Sequence, residues 1–294
     1  MNLKTFTAAL AATAIAGSAF AADLPARKAA PAYIPPAPIM TWAGFYVGVN
    51  AGYGWSAGST RINDVPAFFA PTWDTELSAS TVLAGAPLNG GKNGGFIGGG
   101  QIGWNWQSGA LVAGVETDIQ WMSGAKTGGA AAGALVPVAF PGELIVSNSI
   151  GSSRVDWLGT LRARLGFTVT PSLLAYVTGG LAYGGVSSSA AIFQQNLPFA
   201  PPFFSTGASS GTRVGYSVGA GAEWMFAQNW SLKGEYLYYD LGSSSTPMAP
   251  LSFNPVPVLY TSLPTIRSSY KGHIVRAGLN YHFNWGAAPV VAKY

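Results

Sequence analysis

The sequence predicts an all-β protein, an eight-stranded antiparallel up-and-down transmembrane β-barrel with four long extracellular loops and short periplasmic turns. Three observations carry this prediction. Eight segments alternate apolar and polar residues with the period of two that is typical of strands. The connections between these segments are alternately short and long. Charged residues within the segments lie almost entirely on the polar parity, as expected when lipid surrounds the barrel.

The predicted strands are the alternating segments themselves. The pair that flanks Thr170-Pro171-Ser172 is the clearest, because a short turn there joins two long runs that alternate in the same way. A helix is disfavoured in the first of these runs, since Arg162 and Arg164 are two apart and would lie on different helix faces. The eight predicted strands are 43–55, 96–107, 110–121, 154–168, 173–186, 213–226, 230–241 and 273–283.

The connections set the predicted orientation. Three of them contain two to four residues, whereas the other four contain 40, 32, 26 and 31 residues. Strict alternation of short and long connections is typical of outer-membrane barrels, with short turns and both termini in the periplasm and long loops outside. The predicted loops are 56–95, 122–153, 187–212 and 242–272, of which parts such as 143–150 and 258–268 are candidates for strand extensions.

The placement of charged residues in the predicted strands distinguishes a membrane barrel from a soluble barrel. Of twelve charged residues in the predicted strands, eleven have the lumen-facing parity, and the exception, Asp240, ends the seventh strand. A charge at the lipid-facing midplane costs roughly 2–4 kcal/mol, whereas a soluble barrel would be apolar inside and polar outside. Arg154, Asp156 and Arg213 are assigned inward near the upper ends. The predicted interior network is Glu116, Asp118, Arg162, Arg164, Glu223, Lys233, Glu235 and Arg276.

Parity also predicts the strand register. Turns at 108–109, 170–172 and 227–229 satisfy the inward and outward assignments of the strands that they join. The predicted opposed pairs are Gln101–Glu116, Arg164–Thr178, Arg162–Gly180 and Glu223–Lys233, and the last is predicted to be an ion pair. An eight-stranded barrel is just wide enough for side chains to fill it, so these charges predict a closed lumen. The alternative is a narrow solvated pore with a charged constriction.

The chain ends predict export and a tether. Lys4, an apolar run and Ala19-Phe20-Ala21 predict a signal peptide over 1–21, the alternative being an N-terminal helix of the mature fold. Five prolines in 22–41 predict an extended periplasmic tether, because proline-rich segments are semi-rigid and extended. The barrel domain is assigned to 42–285 and a C-terminal tail to 286–294.

Other function classes find little support in the composition. No stretch beyond the N-terminus has 18 consecutive apolar residues, which disfavours membrane-spanning helices. The net charge of +4 is small and scattered, so no nucleic-acid partner is predicted. There is no cysteine and no nucleophile-elbow motif, and the Gly98-Gly99-Gly100 run lies in a strand. His273 and His282 are assigned structural roles, so no catalytic residue, metal or cofactor is predicted.

Three stretches carry a resemblance to a known family. WAGFYVGVNAGYGW (42–55), WLGTLRARLGF (157–167) and LAYVTGGLAYG (174–184) resemble the small outer-membrane β-barrel proteins of alphaproteobacteria. These are porin-family immunogenic surface proteins related in fold to the OmpA membrane domain. The resemblance implies outer-membrane localisation, outer-membrane lipid and lipopolysaccharide as surroundings, and assembly by the outer-membrane insertion machinery. Such barrels commonly end on an aromatic assembly signal, which assigns that role to Leu279, Tyr281 and Phe283, although Asn284 to Tyr294 follow.

Three functional hypotheses are therefore open. The first is a non-enzymatic closed barrel with an envelope-structural role, whose loops carry surface recognition of host or other ligands. The second is a narrow general-diffusion porin. The third, suggested by the resemblance, is a receptor for a surface ligand such as haem.

Overall fold

The computed structural model describes residues 40–63, 88, 91–136, 141–197, 202–253 and 260–283. The predicted signal peptide, the tether up to residue 39, parts of the long connections and the tail after Phe283 lie outside the described residues. No helix in the described ranges is long and apolar enough to cross a membrane. The described strands are β1 (Gly44–Ser56), β2 (Ser59–Asn63), β3 (Lys92–Ser108), β4 (Leu111–Met122), β5 (Lys126–Leu135), β6 (Leu144–Thr170), β7 (Leu173–Leu197), β8 (Phe203–Ala227), β9 (Trp230–Pro247), β10 (Leu251–Phe253), β11 (Tyr260–Ser262) and β12 (Thr265–Phe283).

Eight of these strands close a ring. Around the barrel the order is β1, β3, β4, β6, β7, β8, β9 and β12, with every neighbouring pair antiparallel. The ring closes between its first and last members, where Phe45 of β1 lies opposite Phe283 of β12. This confirms the predicted eight-stranded up-and-down barrel, since each ring strand pairs with its neighbours in chain order.

The strands are longer than the sequence analysis predicts. β6 has 27 residues, and β7 and β8 have 25 each, whereas a membrane-crossing strand needs about 9–11. Much of the predicted loops is therefore sheet that continues past the membrane, including Leu144–Ile150 in β6. Short β2 and β5 pair with β12 and β6 in this extension. Small Gly, Ser and Ala side chains are neither clearly apolar nor clearly polar, so their alternation is hard to recognise in the sequence.

A β-bulge at the upper end of β6 changes which residues face the lumen there. The pairing with β7 shifts between Val155 and Trp157, so Asp156 is an extra residue on its strand. Beyond the bulge the inward parity reverses, and Val155 is buried. Arg154 and Asp156, which were predicted to face the lumen, instead form a surface salt bridge at 2.7 Å, with the Arg154 side chain 63% exposed. The inward prediction for these two residues was wrong.

Three of the four predicted opposed pairs are confirmed. Arg164 lies opposite Thr178, Arg162 opposite Gly180, and Glu223 opposite Lys233. Gly180 is required there, because a Cβ would collide with the backbone of Leu161.

The fourth predicted pair, Gln101–Glu116, was wrong. Gln101 lies opposite Asp118, which is two residues further along β4 than the predicted partner. The cause is the turn between β3 and β4. Gly109 has φ +59°, the left-handed region that glycine adopts readily, and it is the first of the two turn residues rather than the second. A glycine with positive φ in that first position is the type II′ pattern, which suits a two-residue hairpin.

A charged network between apolar layers in the barrel lumen

The outer face of the ring is apolar. Phe45, Val49 and Tyr53 of β1 are more than half exposed, as are Ile119 and Trp121 of β4. On the same strands the alternate residues, such as Tyr46 and Glu116, are buried in the lumen. A folded chain exposes such a continuous apolar surface when lipid rather than water surrounds it.

Arg162 is the centre of the buried charged network. Its guanidinium contacts three carboxylates, those of Glu116 and Asp118 at 2.7 Å and that of Glu235 at 2.9 Å. The Arg162 Nε also donates to Thr160 Oγ1 at 2.9 Å. A planar guanidinium has five N–H donors, so it can hold several carboxylates at once where a lysine would act as a point charge.

Arg276 and Lys233 complete the centre of the network. Arg276 contacts Asp118 at 2.8 Å and Glu235 at 2.6 Å, while Lys233 Nζ lies 2.8 Å from both Glu116 carboxylate oxygens. These residues come from β4, β9 and β12, which are not all neighbours in the ring. The ion pairs therefore cross the lumen and join strands that the sheet does not join directly.

Arg164 and Glu223 form a second cluster closer to the short turns. The two side chains are ion-paired, and Arg164 also lies over the Tyr176 ring at 3.7 Å from its centroid. Glu223 accepts hydrogen bonds from Ser231 Oγ at 2.5 Å and Asn280 Nδ2 at 2.7 Å. Although Glu223 lies opposite Lys233 in the register, its ion partner is Arg164, and the predicted Glu223–Lys233 ion pair was wrong. Opposed backbone positions do not fix the direction in which long side chains reach.

All eight side chains of the predicted network lie together in the lumen. Four are acidic and four are basic, so their formal charges cancel, and each side chain is at most 3% exposed. Buried charges are tolerated only when they are paired and hydrogen-bonded, which is the case here. Arg213, which also has inward parity, lies nearer the mouth and donates to the Ser243 carbonyl at 3.0 Å.

An apolar layer covers the network on the side away from the short turns. Ile274 lies two residues beyond Arg276 towards that end of β12, and Leu237 lies two residues beyond Glu235 on β9. Leu158 lies four residues beyond Arg162 on β6. All are buried. The full cluster is Ile97, Met122, Ala125, Val155, Leu158, Ala182, Val186, Leu237, Tyr239, Leu241, Tyr270 and Ile274.

A second apolar cluster closes the opposite end. Trp42, just before β1, is fully buried, and its indole Nε1 donates to the Pro171 carbonyl in the short β6–β7 turn at 3.2 Å. It belongs to a cluster with Val112, Leu174, Tyr176 and Met225. Trp42 thus ties the chain before the first strand to a turn on the far side of the barrel. Neither layer was predicted from the sequence, although residues such as Leu237 and Ile274 have the inward parity of their strands.

The two histidines have structural surroundings. His282 faces the lumen near the short turns, where its Nε2 lies 2.8 Å from Ser231 Oγ and 3.4 Å from Glu223 Oε1. His273 lies near the upper rim, stacks on Trp55 and hydrogen-bonds Tyr236 through Nδ1 at 2.6 Å. Within the part of the chain that the structure describes, no group of three or more metal-ligating side chains has the arrangement of a metal site.

Comparison with known proteins decides the family. The model for the outer membrane protein beta-barrel domain matches residues 7–283. The chain belongs to this family. The 31 kDa outer-membrane immunogenic protein of Brucella melitensis is 36% identical to this chain over 282 residues, which cover 96% of this chain and 100% of the relative.

One further relative and one solved structure are less similar to this chain. The 22 kDa outer membrane protein of Rhizobium leguminosarum bv. viciae is 31% identical over 158 residues, which are 53% of this chain and 58% of that protein. The solved structure of OprG from Pseudomonas aeruginosa has a TM-score of 0.40 and 13% identity, and it covers 82% of this chain and 96% of that one. The family model and the Brucella and Rhizobium proteins confirm the resemblance to alphaproteobacterial outer-membrane proteins, and the protein resides in the cell outer membrane.

Proposed function

We propose that this outer-membrane β-barrel is a closed, non-enzymatic protein that reinforces the envelope and carries segments exposed on the cell surface. One observation supports closure above all. The eight charged side chains of the lumen are at most 3% exposed, although they lie across the middle of the barrel. A water-filled pore would hydrate these groups, whereas here buried apolar clusters lie on both sides of them.

The narrow diffusion pore remains the competing proposal, and ion conductance separates the two. A closed lumen predicts no steady current through a planar bilayer. The receptor hypothesis stays a hypothesis, and the described histidines give it no support, because His282 lies within the charged network and His273 lies on the outer face.

Surface display is tested by labelling single cysteines, which the cysteine-free chain makes simple. Gly142 lies in the exposed connection between β5 and β6, and Ser108 is exposed at the short β3–β4 turn. In intact cells, a membrane-impermeant maleimide should label Gly142→Cys and leave Ser108→Cys unlabelled. Permeabilising the outer membrane should then allow labelling at both. Labelling of Ser108→Cys in intact cells would mean that the short turns face outward.

Assembly is proposed to depend on the aromatic end of β12. Phe283 and Tyr281 pack edge to face with centroids 5.1 Å apart, and Tyr281 packs on Trp230 of β9 at 5.2 Å. With Leu279 they form an outward row that the insertion machinery could read. Phe283→Ala should therefore lower the amount of folded protein in the outer membrane more than deletion of 286–294. Heat-modifiable mobility in gels measures the folded fraction, and the reverse order would place the signal in the tail.

A further inference from the structure

Three cations lie together on the outer surface of the extension, just past the apolar band. They are Arg61 of β2 and Arg267 and Lys271 of β12, and they line an open hollow of about 480 Å³. Asp240 of β9 also lines this hollow and offsets one of the three charges. Two net positive charges remain in one small concave surface.

The register places two of these cations directly against each other. Arg61 and Arg267 are opposed residues of paired strands, an arrangement that destabilises a sheet when both side chains carry the same charge. None of the three cations has a carboxylate within 4.0 Å among the residues that the structure describes. By contrast Arg154, also at the surface, has Asp156 at 2.7 Å. An anion from outside the chain would relieve this repulsion.

The position of the hollow relative to the membrane indicates which anion is available to it. The outward residues of β12 from Phe283 to His273 form the lipid-facing row, and this span of 11 residues matches the length that crosses a membrane. Lys271 is the next outward residue, followed by Ser269 and Arg267. Aromatic side chains at the same end of the row, Trp55, Tyr238 and His273, lie where interfacial aromatic residues are expected. The cations therefore lie at and just above the headgroup level.

We propose that Arg61, Arg267 and Lys271 bind the phosphate groups of a phosphorylated glycolipid of the outer leaflet, such as lipopolysaccharide. Guanidinium groups form paired hydrogen bonds to phosphate oxygens, and two opposed arginines can hold one phosphate from both sides. The ammonium of Lys271 adds a point charge closer to the membrane. This site is independent of whether the lumen conducts, so its failure and the failure of the closed-barrel proposal are distinguishable.

Binding of fluorescent lipopolysaccharide to the refolded protein in zwitterionic micelles tests the proposal. Arg267→Gln and Arg61→Gln should each weaken binding by about tenfold, the effect of losing one charge-assisted hydrogen-bonded contact. Arg267→Lys should recover part of the loss. The matched control is Arg154→Gln, which removes one exposed arginine that Asp156 already pairs and should leave binding unchanged. Unaltered affinity in both arginine variants, or an equal loss in the control, would overturn the site.

The source of the phosphate is tested with two further probes. Lipopolysaccharide whose phosphates have been removed enzymatically should bind wild-type protein as weakly as the arginine variants bind the intact lipid. Inorganic phosphate in millimolar excess should not displace the labelled lipid. Equal binding of the dephosphorylated lipid would overturn phosphate recognition, and displacement by inorganic phosphate would overturn the assignment to a lipid. Heat-modifiable mobility shows whether each variant is folded before its affinity is measured.

Discussion

Replacing Arg162 with methionine is expected to destabilise the barrel by about 3–5 kcal/mol, because it leaves buried carboxylates without their counter-charge. Arg162 contacts Glu116, Asp118 and Glu235, and its side chain is fully buried. The remaining cations of the lumen cannot neutralise four acids. Urea unfolding in lipid vesicles, followed by tryptophan fluorescence, measures the free energy of unfolding.

Arg154→Met is the matched control, since it changes the same residue type on the same strand. The Arg154 side chain is 63% exposed and forms a surface salt bridge with Asp156, so its loss should cost below about 1 kcal/mol. Equal small effects for Arg154→Met and Arg162→Met would mean that water screens the lumen charges. That outcome contradicts a closed interior.

A double-mutant cycle on Arg164 and Glu223 is expected to show strong coupling. Each single methionine substitution strands a buried charge and should cost about 3–5 kcal/mol, whereas the double substitution removes both and should recover much of the loss. The cycle for Glu223 and Lys233 should show weaker coupling, because Lys233 Nζ pairs with Glu116 at 2.8 Å. Stronger coupling of Glu223 to Lys233 than to Arg164 would contradict the partners seen in the structure.

The sequence predicts the barrel because lipid outside imposes a strict rule on every strand. Charges such as Glu116 and Arg276 cannot face lipid, so their parity reveals the inward face, and the connection lengths reveal the order of the strands. The same rule predicts which residues meet across the hairpins, as for Arg162 and Gly180. Both predictions depend only on local alternation, which a single sequence contains.

What the sequence could not predict depends on geometry beyond alternation. The bulge at Asp156 exchanges the inward and outward positions of β6, and nothing in the residue types around it signals the change. The turn that begins at Gly109 places Gln101 of β3 opposite Asp118 of β4 rather than Glu116. Glu223 of β8 pairs with Arg164 of β6 because the two side chains meet inside the closed ring. Strand alternation alone does not contain that information. The upper sheet, rich in Gly, Ser and Ala, gives an alternation too weak to distinguish strand from loop.

Conductance of the refolded protein in a planar lipid bilayer tests the central claim, that the lumen is closed by paired charges and apolar layers. Wild-type protein should give no steady current above that of the bare bilayer. Variants lacking Arg162 or Arg164 provide the comparison, because a pore with a charged constriction would change its conductance and ion selectivity when those cations are removed. Regular open levels in the wild type that change in the Arg162 and Arg164 variants would contradict the closed barrel.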